Sequence, residues 1–395
     1  MKAFCFTRFA DLPAQYRPLL EGAGAADFFY SEAWFQALVD YFYDDPGALR
    51  IYAVEDARTG EPLLIFPCRS TRVDPAVKGA RILANLGHTE NFSPLALIIN
   101  PKVSMPVILL IAFFRYLATE PVLGEGAPFD AIRLWPIETD SETGQVIHYA
   151  LMAAGFRCQT YANSYNRFED TAGKSHAEYF AERSSNLRHD CRRRLRKLEK
   201  DHTVRFELIT DETDLEPAIR DYVTVADASW KTPASMYAPW NLAFLHEAAR
   251  AKLLRLGIMK VDDKPVATQA WIVTGGIAQS LRAAYDEAYK NQSVGALLTN
   301  FMVAHVLDHD HAREINFGYG GEEYKAKWMK AERHYFGLIG FNRNTRRGRY
   351  FAAKHIIGRK LKRHALVEPV LDAARPPVQW LRRLVRKPSG EGDGK

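Results

Sequence analysis

Cysteine is scarce in this sequence, with four residues in a chain of 395. The four stand far apart and show no metal-ligand spacing, and a disulfide-stabilised scaffold would need them at higher density. We therefore expect reduced thiols, no disulfide bond, no metal and a cytoplasmic location. They are Cys5, Cys68, Cys158 and Cys191.

Long apolar runs are also lacking. The longest, residues 105–114, is too short to cross a bilayer, and residues 1–15 hold no apolar core of signal-peptide length. We expect the protein to stay on the inner side of the membrane. A Gly-x-Ser-x-Gly nucleophile elbow is missing as well, and no cysteine stands in a recognisable catalytic context, so the sequence predicts no covalent enzyme intermediate.

The composition that remains suits a folded enzyme with unevenly distributed charge. Hydrophobic residues make up 47% of the chain and charged residues 25%, which is enough for two domains with complete cores. Fourteen Lys and Arg against two acids give residues 343–387 a net charge of +12, whereas residues 1–342 sum to −5. The body is therefore mildly acidic and the tail strongly basic.

One segment in the last third of the chain reads strand, polar turn, helix. Residues 281–285 are a short apolar run, residues 291–295 are a polar turn, and residues 296–307 are an apolar helical run. The free N–H groups and the positive dipole at a helix start favour an anion, and Gly295 would let a ligand approach the backbone closely. A phosphate site and an ordinary strand-to-helix connection both fit this pattern.

Four short motifs follow one another in and after this segment. In chain order they are Tyr285-Asp286, Gln292-Ser293-Val294-Gly295-Ala296-Leu297, Phe317-Gly318-Tyr319-Gly320 and Tyr324-Lys325. The series resembles the CelD/BcsL-like branch of the GNAT acyltransferases. The pyrophosphate loop of GNAT acyltransferases in general reads Gln/Arg-x-x-Gly-x-Gly/Ala. Leu297 replaces the final small residue, and Asn316 stands where that branch more often has Asp. The resemblance extends over about residues 30–341.

The resemblance implies acyl-CoA as co-substrate, an amine as acceptor and no metal. It implies that Asp286 or Glu322 takes the proton of the amine and that Tyr324 or Tyr319 protonates the departing thiolate. For each of these residues an ordinary structural role is the alternative. The residues expected to bind the cofactor are Gln292, Ser293, Val294, Gly295, Ala296 and Lys325. Those expected to line the substrate site are Tyr285, Gln269, Trp230, Tyr319 and His88.

The chain shows signs of an internal duplication. Residues 51–66 and 257–272 both read strand, tight turn, strand, with Pro62 and Pro265 in matching places, and helices are predicted before each hairpin, at residues 31–43, 214–229 and 241–254. We predict an α/β fold of tandem GNAT-like domains with central mixed sheets flanked by helices, plus a basic helical C-terminal tail. The expected domains are residues 1–165, degenerate; 166–345, catalytic; and 346–395, the tail.

Two basic amphipathic segments suggest anionic partners. Residues 184–200 form a predicted helix with leucines on one stripe and arginines elsewhere, which suits either a solvated face or contacts to cofactor phosphates or lipid head groups. In the tail, apolar residues including Phe351 and Trp380 alternate with Lys and Arg, which favours an anionic membrane surface. A tail packed on its own domain is the alternative, and nucleic acid is the least favoured partner.

These observations favour an acyl-CoA-dependent N-acyltransferase, peripheral on the inner membrane. Its acceptor would be a membrane-associated amine such as a sphingoid base, as in the bacterial ceramide synthases that look like this branch. Three alternatives remain open: an acyltransferase of exopolysaccharide or cellulose synthesis, a Fem-type transferase that uses aminoacyl-tRNA, and a non-catalytic scaffold for envelope synthesis.

Overall fold

The computed structural model describes residues 1–74, 77–87, 95–231, 236–320 and 322–363. Thirteen strands of these residues form one sheet. The strands are β1 (Lys2–Phe6), β2 (Leu49–Glu55), β3 (Pro62–Thr71), β4 (Ile82–Asn85), β5 (Ile98–Ile99), β6 (Ala131–Glu138), β7 (Phe156–Asp170), β8 (Val204–Ile209), β9 (Leu254–Val261), β10 (Lys264–Thr274), β11 (Ile277–Tyr285), β12 (Glu314–Tyr319) and β13 (Ala331–Asn342).

Helices connect the strands and pack on the sheet. They are α1 (Arg17–Ala26), α2 (Glu32–Tyr41), α3 (Pro106–Thr119), α4 (Glu142–Ala153), α5 (His176–Ala181), α6 (Ser185–Asp201), α7 (Leu215–Asp227), α8 (Pro239–Arg250), α9 (Val294–Asp308), α10 (Glu323–Trp328) and α11 (Arg346–Arg363). The predicted hairpins are confirmed as β2–β3 and β9–β10, and the four predicted helices as α2, α7, α8 and α6. Ser31 caps α2 by accepting a hydrogen bond from the Trp34 N–H.

The sheet repeats one topology twice. Its strand order is β1-β2-β3-β4-β6-β13-β7-β12-β11-β10-β9-β8, and β5 pairs with β3. In each half a run of antiparallel strands ends in one parallel pair, β4 with β6 and β11 with β12. A parallel pair needs a crossover connection, which α3 provides in the first half and α9 in the second.

The two central strands are exchanged between the halves. β13, from the end of the second half, pairs with β6, while β7, from the end of the first, pairs with β12. β13 also pairs with β7 along its whole length, from Phe156 to Phe168 of β7. The division predicted between residues 165 and 166 therefore lies within β7, and the halves share one continuous sheet.

Successive side chains of the strands supply cores on opposite faces of the sheet. In β2, Ile51 and Ala53 pack with α1 and α2, whereas Tyr52 and Val54 pack with α3 and α4. The core under α1 and α2 continues under α7 and α8, where the rings of Trp34 and Phe244 lie 5.1 Å apart. The predicted α/β fold with a mixed sheet flanked by helices is confirmed.

The predicted basic tail begins as α11. Phe351, expected at a membrane surface, is instead buried with Ile82 and Ala131 of the first half and Phe341 of β13, because an apolar ring is more stable in that small core than in water. Tyr350 beside it is 60% exposed. Trp380 and the rest of residues 364–395 lie outside the described part of the chain.

Candidate functional site

The site lies where β11 and β12 separate. The two strands pair in parallel only from Ile277 to Gln279 of β11, after which β11 continues to Tyr285 without this partner. On the other edge, its pairing with β10 skips one residue at Leu281, which is a β-bulge. Bulges increase the local twist and often lie beside active sites. The outer edge of β11 beyond Gln279 is thus open to a ligand.

A cavity of about 490 Å³ opens at this edge. That volume lies within the range of small-molecule sites, roughly 300–1,000 Å³. Its walls come from the end of β11, the first turns of α9, one face of α6, the loop after α7, and α10. Among the predicted site residues, it is lined by Trp230, Gln269, Tyr285, Ser293, Val294, Gly295, Ala296, Glu322 and Tyr324.

The N-terminus of α9 faces this cavity. Its N-cap residue, Ser293, adopts a left-handed conformation with φ of 57° and makes no side-chain capping hydrogen bond. The helix begins at Val294, two residues earlier than predicted, so Gly295 lies in its first turn and not in a loop before it. A Cβ on Gly295 would stand 3.3 Å from the Tyr285 ring, a tight contact that a shift of the ring by a few tenths of an ångström would relieve, whereas a larger side chain has less room. The uncapped turn keeps the anion-binding character of a helix start.

Basic side chains surround this helix start. Arg194 of α6 donates a hydrogen bond to the carbonyl oxygen of Asn291 in the turn before α9, and Lys290 belongs to the same turn. Arg194, Lys290, Lys231 and Lys327 all line the cavity, against the carboxylates of Asp190 and Glu322. Arg194 was one of six basic residues in the predicted helix that were candidates for phosphate contacts. No pattern in the sequence singled out the other three cations, Lys231, Lys290 and Lys327.

Lys231 contacts the part of β11 that lies beyond its pairing with β12. Its ammonium donates a hydrogen bond to the Ala283 carbonyl oxygen at 2.6 Å. Burial lowers the pKa of Lys231, and the positive charges of Arg282 and Lys325 lower it further, against the opposing effect of Glu322. Among the described residues, no carboxylate lies within ion-pair distance of it. Sequence reasoning missed Lys231 because nothing local distinguishes it from a surface lysine.

Glu322 and Tyr324, both predicted to transfer protons, line the cavity. Glu322 forms an ion pair with the buried Lys325 at 2.8 Å. Burial alone would raise the pKa of Glu322, but the hydrogen bond from Lys325, a backbone hydrogen bond and the positive charges of Lys325 and Lys231 together outweigh it and lower the pKa. Although Tyr324 is 45% exposed, desolvation of its hydroxyl and the nearby Glu322 carboxylate raise its pKa, so the phenol stays protonated. Lys325, predicted to bind phosphate, lies behind Glu322 and not in the cavity wall.

Asp286 lies outside the cavity and has a structural pairing. Its carboxylate accepts hydrogen bonds from the Lys264 ammonium at 2.7 Å and from the Ala288 N–H at 2.9 Å, where it caps the short helix Glu287–Gln292. Burial would raise the pKa of Asp286, but these two donors outweigh it and hold the pKa below its ordinary value. The geometry does not favour Asp286 as the base that accepts the amine proton.

Some of the remaining predicted site residues line the cavity and others do not. Gln269 is buried and joins β10 to α9 by donating to the Gly295 carbonyl and to the Thr299 hydroxyl, while it accepts from Trp271. Gln292 is not in the cavity wall. Trp230 is 69% exposed at the edge of the cavity. Tyr319 ends β12, and His88 lies outside the described residues.

The start of α9 combines an uncapped helix N-terminus with nearby cations. A free helix N-terminus flanked by Arg194 and Lys290 suits a pyrophosphate. In residues 1–363 outside the gaps given above, no cluster of three His, Cys, Asp or Glu side chains could hold a metal ion. No helix there has the length and apolar character needed to cross a bilayer.

The fold matches known structures across both halves. The structure of FemX superimposes with a TM-score of 0.53 and 12% identity, covering 87% of this chain and 98% of that one. L-PGS from Bacillus licheniformis gives 0.46 and 12%, covering 88% and 97%, and a tandem GNAT protein from the clavulanic acid biosynthesis pathway gives 0.46 and 12%, covering 85% and 98%. At TM-scores below 0.5, no conclusion rests on the last two.

The sequence itself matches one family. No curated protein matches it. Residues 185–326 match the model of an acetyltransferase (GNAT) domain. This segment runs from the start of α6 into α10 and holds most of the cavity wall. The comparisons therefore show a GNAT domain in residues 185–326 and, over both halves of the chain, the fold seen in FemX.

Proposed function

We propose that this protein is an N-acyltransferase that moves a long-chain acyl group from acyl-CoA to the primary amine of a membrane-associated acceptor. The observation that carries the proposal is the uncapped N-terminus of α9, flanked by Arg194 and Lys290, at one end of the cavity beside the open edge of β11. The pyrophosphate would lie at the helix start, and the thioester would lie along the strand edge.

The residues of the cavity then divide the chemistry among them. The open edge of β11 would hold the thioester carbonyl, and the Lys231 ammonium at Ala283 adds positive charge where its oxygen becomes negative. Glu322, ionised by its pair with Lys325, would accept the amine proton through water. The Tyr324 hydroxyl, kept protonated by its raised pKa, would protonate the thiolate as the C–S bond breaks. The products are the new amide and free CoA, and the proton taken up by Glu322 is lost to solvent while Tyr324 regains one, so the enzyme returns to its starting state.

Part of the cavity lining is apolar and suits an acyl chain. Leu187 and Cys191 of α6, Leu297 of α9 and the buried ring of Trp328 all line the cavity and belong to one apolar cluster. Burial raises the pKa of the Cys191 thiol to about 11, so it stays a neutral, weakly polar group at physiological pH. Each methylene buried on such a surface contributes about 0.8 kcal/mol. This supports a long-chain donor and, with it, a lipid amine such as a sphingoid base as acceptor.

The test is calorimetric titration of the protein with CoA and with palmitoyl-CoA. Gly295→Asp places a carboxylate at the helix start and should abolish binding of both ligands. Gly295→Ala is the matched control, since its Cβ makes the same contact to Tyr285 without the charge. Binding by the alanine variant and not by the aspartate variant would support a phosphate site. Binding of neither ligand to the unaltered protein would overturn the proposal and favour an aminoacyl-tRNA donor or a scaffold.

A second pair of variants tests the basic helix. Arg194→Ala removes the guanidinium that contacts the turn before α9 and should weaken CoA binding about ten-fold or more, as expected for a charge-assisted contact. Arg192→Ala removes an exposed arginine two residues away that does not line the cavity. Equal loss in both variants would mean that α6 acts only through its overall charge.

A further inference from the structure

The mouth of the cavity carries two exposed aromatic side chains. Trp230 is 69% exposed and Tyr324 is 45% exposed, yet both line the cavity, so they stand at its opening. Other tryptophans, such as Trp34, Trp271 and Trp328, are buried. Trp and Tyr are the aromatic residues that favour the boundary between lipid and water, because each has an apolar ring and a polar group.

Cations surround the same opening. Lys327 is exposed, and the side chain of Lys290 is 66% exposed with Glu287 at 3.7 Å. The cavity's own carboxylates are already paired, Asp190 with Arg193 at 3.0 Å and Glu322 with Lys325 at 2.8 Å. The exposed face of α6 adds further arginines beside Arg194. The opening therefore has an excess of positive charge around the exposed ring of Trp230.

We propose that this opening docks directly on an anionic lipid bilayer, with Trp230 inserted at the head-group level. The charges match the negative surface of such a bilayer, and each basic residue near the surface adds attraction. A mouth held against the membrane would let a lipid amine enter the cavity without crossing water. The inference rests on the proposed function only for the nature of that acceptor, since docking itself needs neither acyl-CoA nor turnover.

The docking surface is distinct from α11, which is the part of the basic tail that the structure describes. Phe351 of α11 packs in a small core with Ile82 and Ala131 of the first half, whereas the opening belongs to the second half. The sequence supplies a different tryptophan to each candidate membrane contact, Trp230 at the opening and Trp380 in residues 364–395. Single tryptophan changes in the full-length chain therefore test the proposal.

The experiment measures quenching of tryptophan fluorescence by brominated lipids in vesicles of phosphatidylcholine and phosphatidylglycerol, without acyl-CoA. Trp230→Phe should lose most of the quenching, whereas Trp380→Phe should keep it. Thermal unfolding of each variant confirms that it is folded, which is expected because Trp230 is largely exposed. Quenching lost with Trp380→Phe and kept with Trp230→Phe would overturn the proposal, as would no binding to the vesicles.

Charge reversal provides an independent arm. The double change Lys290→Glu and Lys327→Glu should weaken binding to these vesicles by at least about ten-fold and leave weak binding to pure phosphatidylcholine unchanged. Lys102→Glu is the matched control, because Lys102 is 83% exposed but belongs to the first half of the chain. If the loss of vesicle binding per reversed charge is as large in Lys102→Glu as in the double variant, docking depends on net charge only. That outcome would refute a site at the opening.

Discussion

The ammonium of Lys231 donates a hydrogen bond to the carbonyl oxygen of Ala283, at 2.6 Å, on the part of β11 that no longer pairs with β12. A lysine from the loop after α7 thus takes the place that a neighbouring strand would have in a regular sheet. The contact fixes a positive charge beside the strand edge on which the thioester is proposed to lie.

We predict that Lys231→Met lowers kcat/KM for palmitoyl-CoA and sphinganine about 10- to 100-fold, the size expected for one charge-assisted hydrogen bond. Burial lowers the pKa of Lys231, so the positive charge is present at low pH and lost as pH rises through a value below the ordinary lysine pKa. The pH profile of kcat should therefore fall on its alkaline side in the unaltered protein, and this fall should be absent in Lys231→Met.

Two further variants separate chemistry from folding at this position. Lys231→Arg keeps its charge at all pH values and should restore part of the rate while moving the alkaline fall upward. Lys264→Met removes a lysine that pairs with Asp286 outside the cavity and should leave kcat/KM within about two-fold. An equal loss of rate in Lys264→Met and Lys231→Met would contradict a role for Lys231 at the strand edge.

Tyr324→Phe should lower kcat about 100-fold with little change in KM, because only the departing thiolate needs the hydroxyl proton. The raised pKa keeps this phenol protonated beyond the ordinary tyrosine range, so its loss should not change the shape of the pH profile. Steady-state release of free thiol measures both quantities. Tyr350→Phe, an exposed tyrosine on α11, is the control and should have full activity. A Tyr324→Phe enzyme with normal kcat would exclude this proton donor.

Asp286→Ala should affect stability more than chemistry. Loss of the cap of residues 287–292 and of the Lys264 pair should cost about 1 kcal/mol of unfolding free energy, measured in urea at neutral pH. Because the folded-state pKa is lowered, this contribution is present above the ordinary aspartate value of 3.8 and is lost as pH falls through the lower folded value. The difference between variant and parent should thus vanish in acid. Abolished activity at unchanged stability would restore Asp286 as the base.

Local sequence patterns predicted the helices and hairpins of this fold, but they did not predict which distant strands pair. The hairpins near Pro62 and Pro265 and the striped helix α6 were predictable because their signals repeat every two or every three to four residues. The exchange of β7 and β13 was not, since each strand pairs with one more than a hundred residues distant in sequence. A division of the chain in two was therefore natural from the sequence, whereas the shared central strands needed the structure.

The residues of the candidate site likewise divide into those that local patterns identify and those that only the fold brings together. The turn at Ser293 and Gly295 was found because glycine, a polar turn and an apolar helix lie together in the chain. Lys231 lies more than fifty residues from Ala283 and precedes β9, β10 and β11, so only the folded sheet brings it to the strand edge. Asp286 and Tyr324 were both candidates because each belongs to one of the four motifs. The structure distinguishes them, since Tyr324 lines the cavity whereas Asp286 lies outside it and pairs with Lys264.

Gln269, predicted to line the substrate site, should act mainly as a tie between β10 and α9. Gln269→Leu removes hydrogen bonds to Gly295, Thr299 and Trp271 and leaves the buried indole N–H of Trp271 without its acceptor, which should cost about 2 kcal/mol of unfolding free energy. The Thr299 hydroxyl still donates to the Gly295 carbonyl oxygen at 2.9 Å. Urea unfolding measures this loss, and CoA binding should weaken with it because the first turn of α9 loses its support.

The matched control is Gln279→Leu on the neighbouring strand. The amide nitrogen of Gln279 is buried and has no hydrogen-bond partner among the residues that the structure describes, so replacing it with an apolar group of similar size should cost far less, or stabilise the protein. Equal destabilisation by both changes would mean that the stability depends on side-chain packing at these positions. The hydrogen bonds from Gln269 to α9 would then not be what positions the helix start.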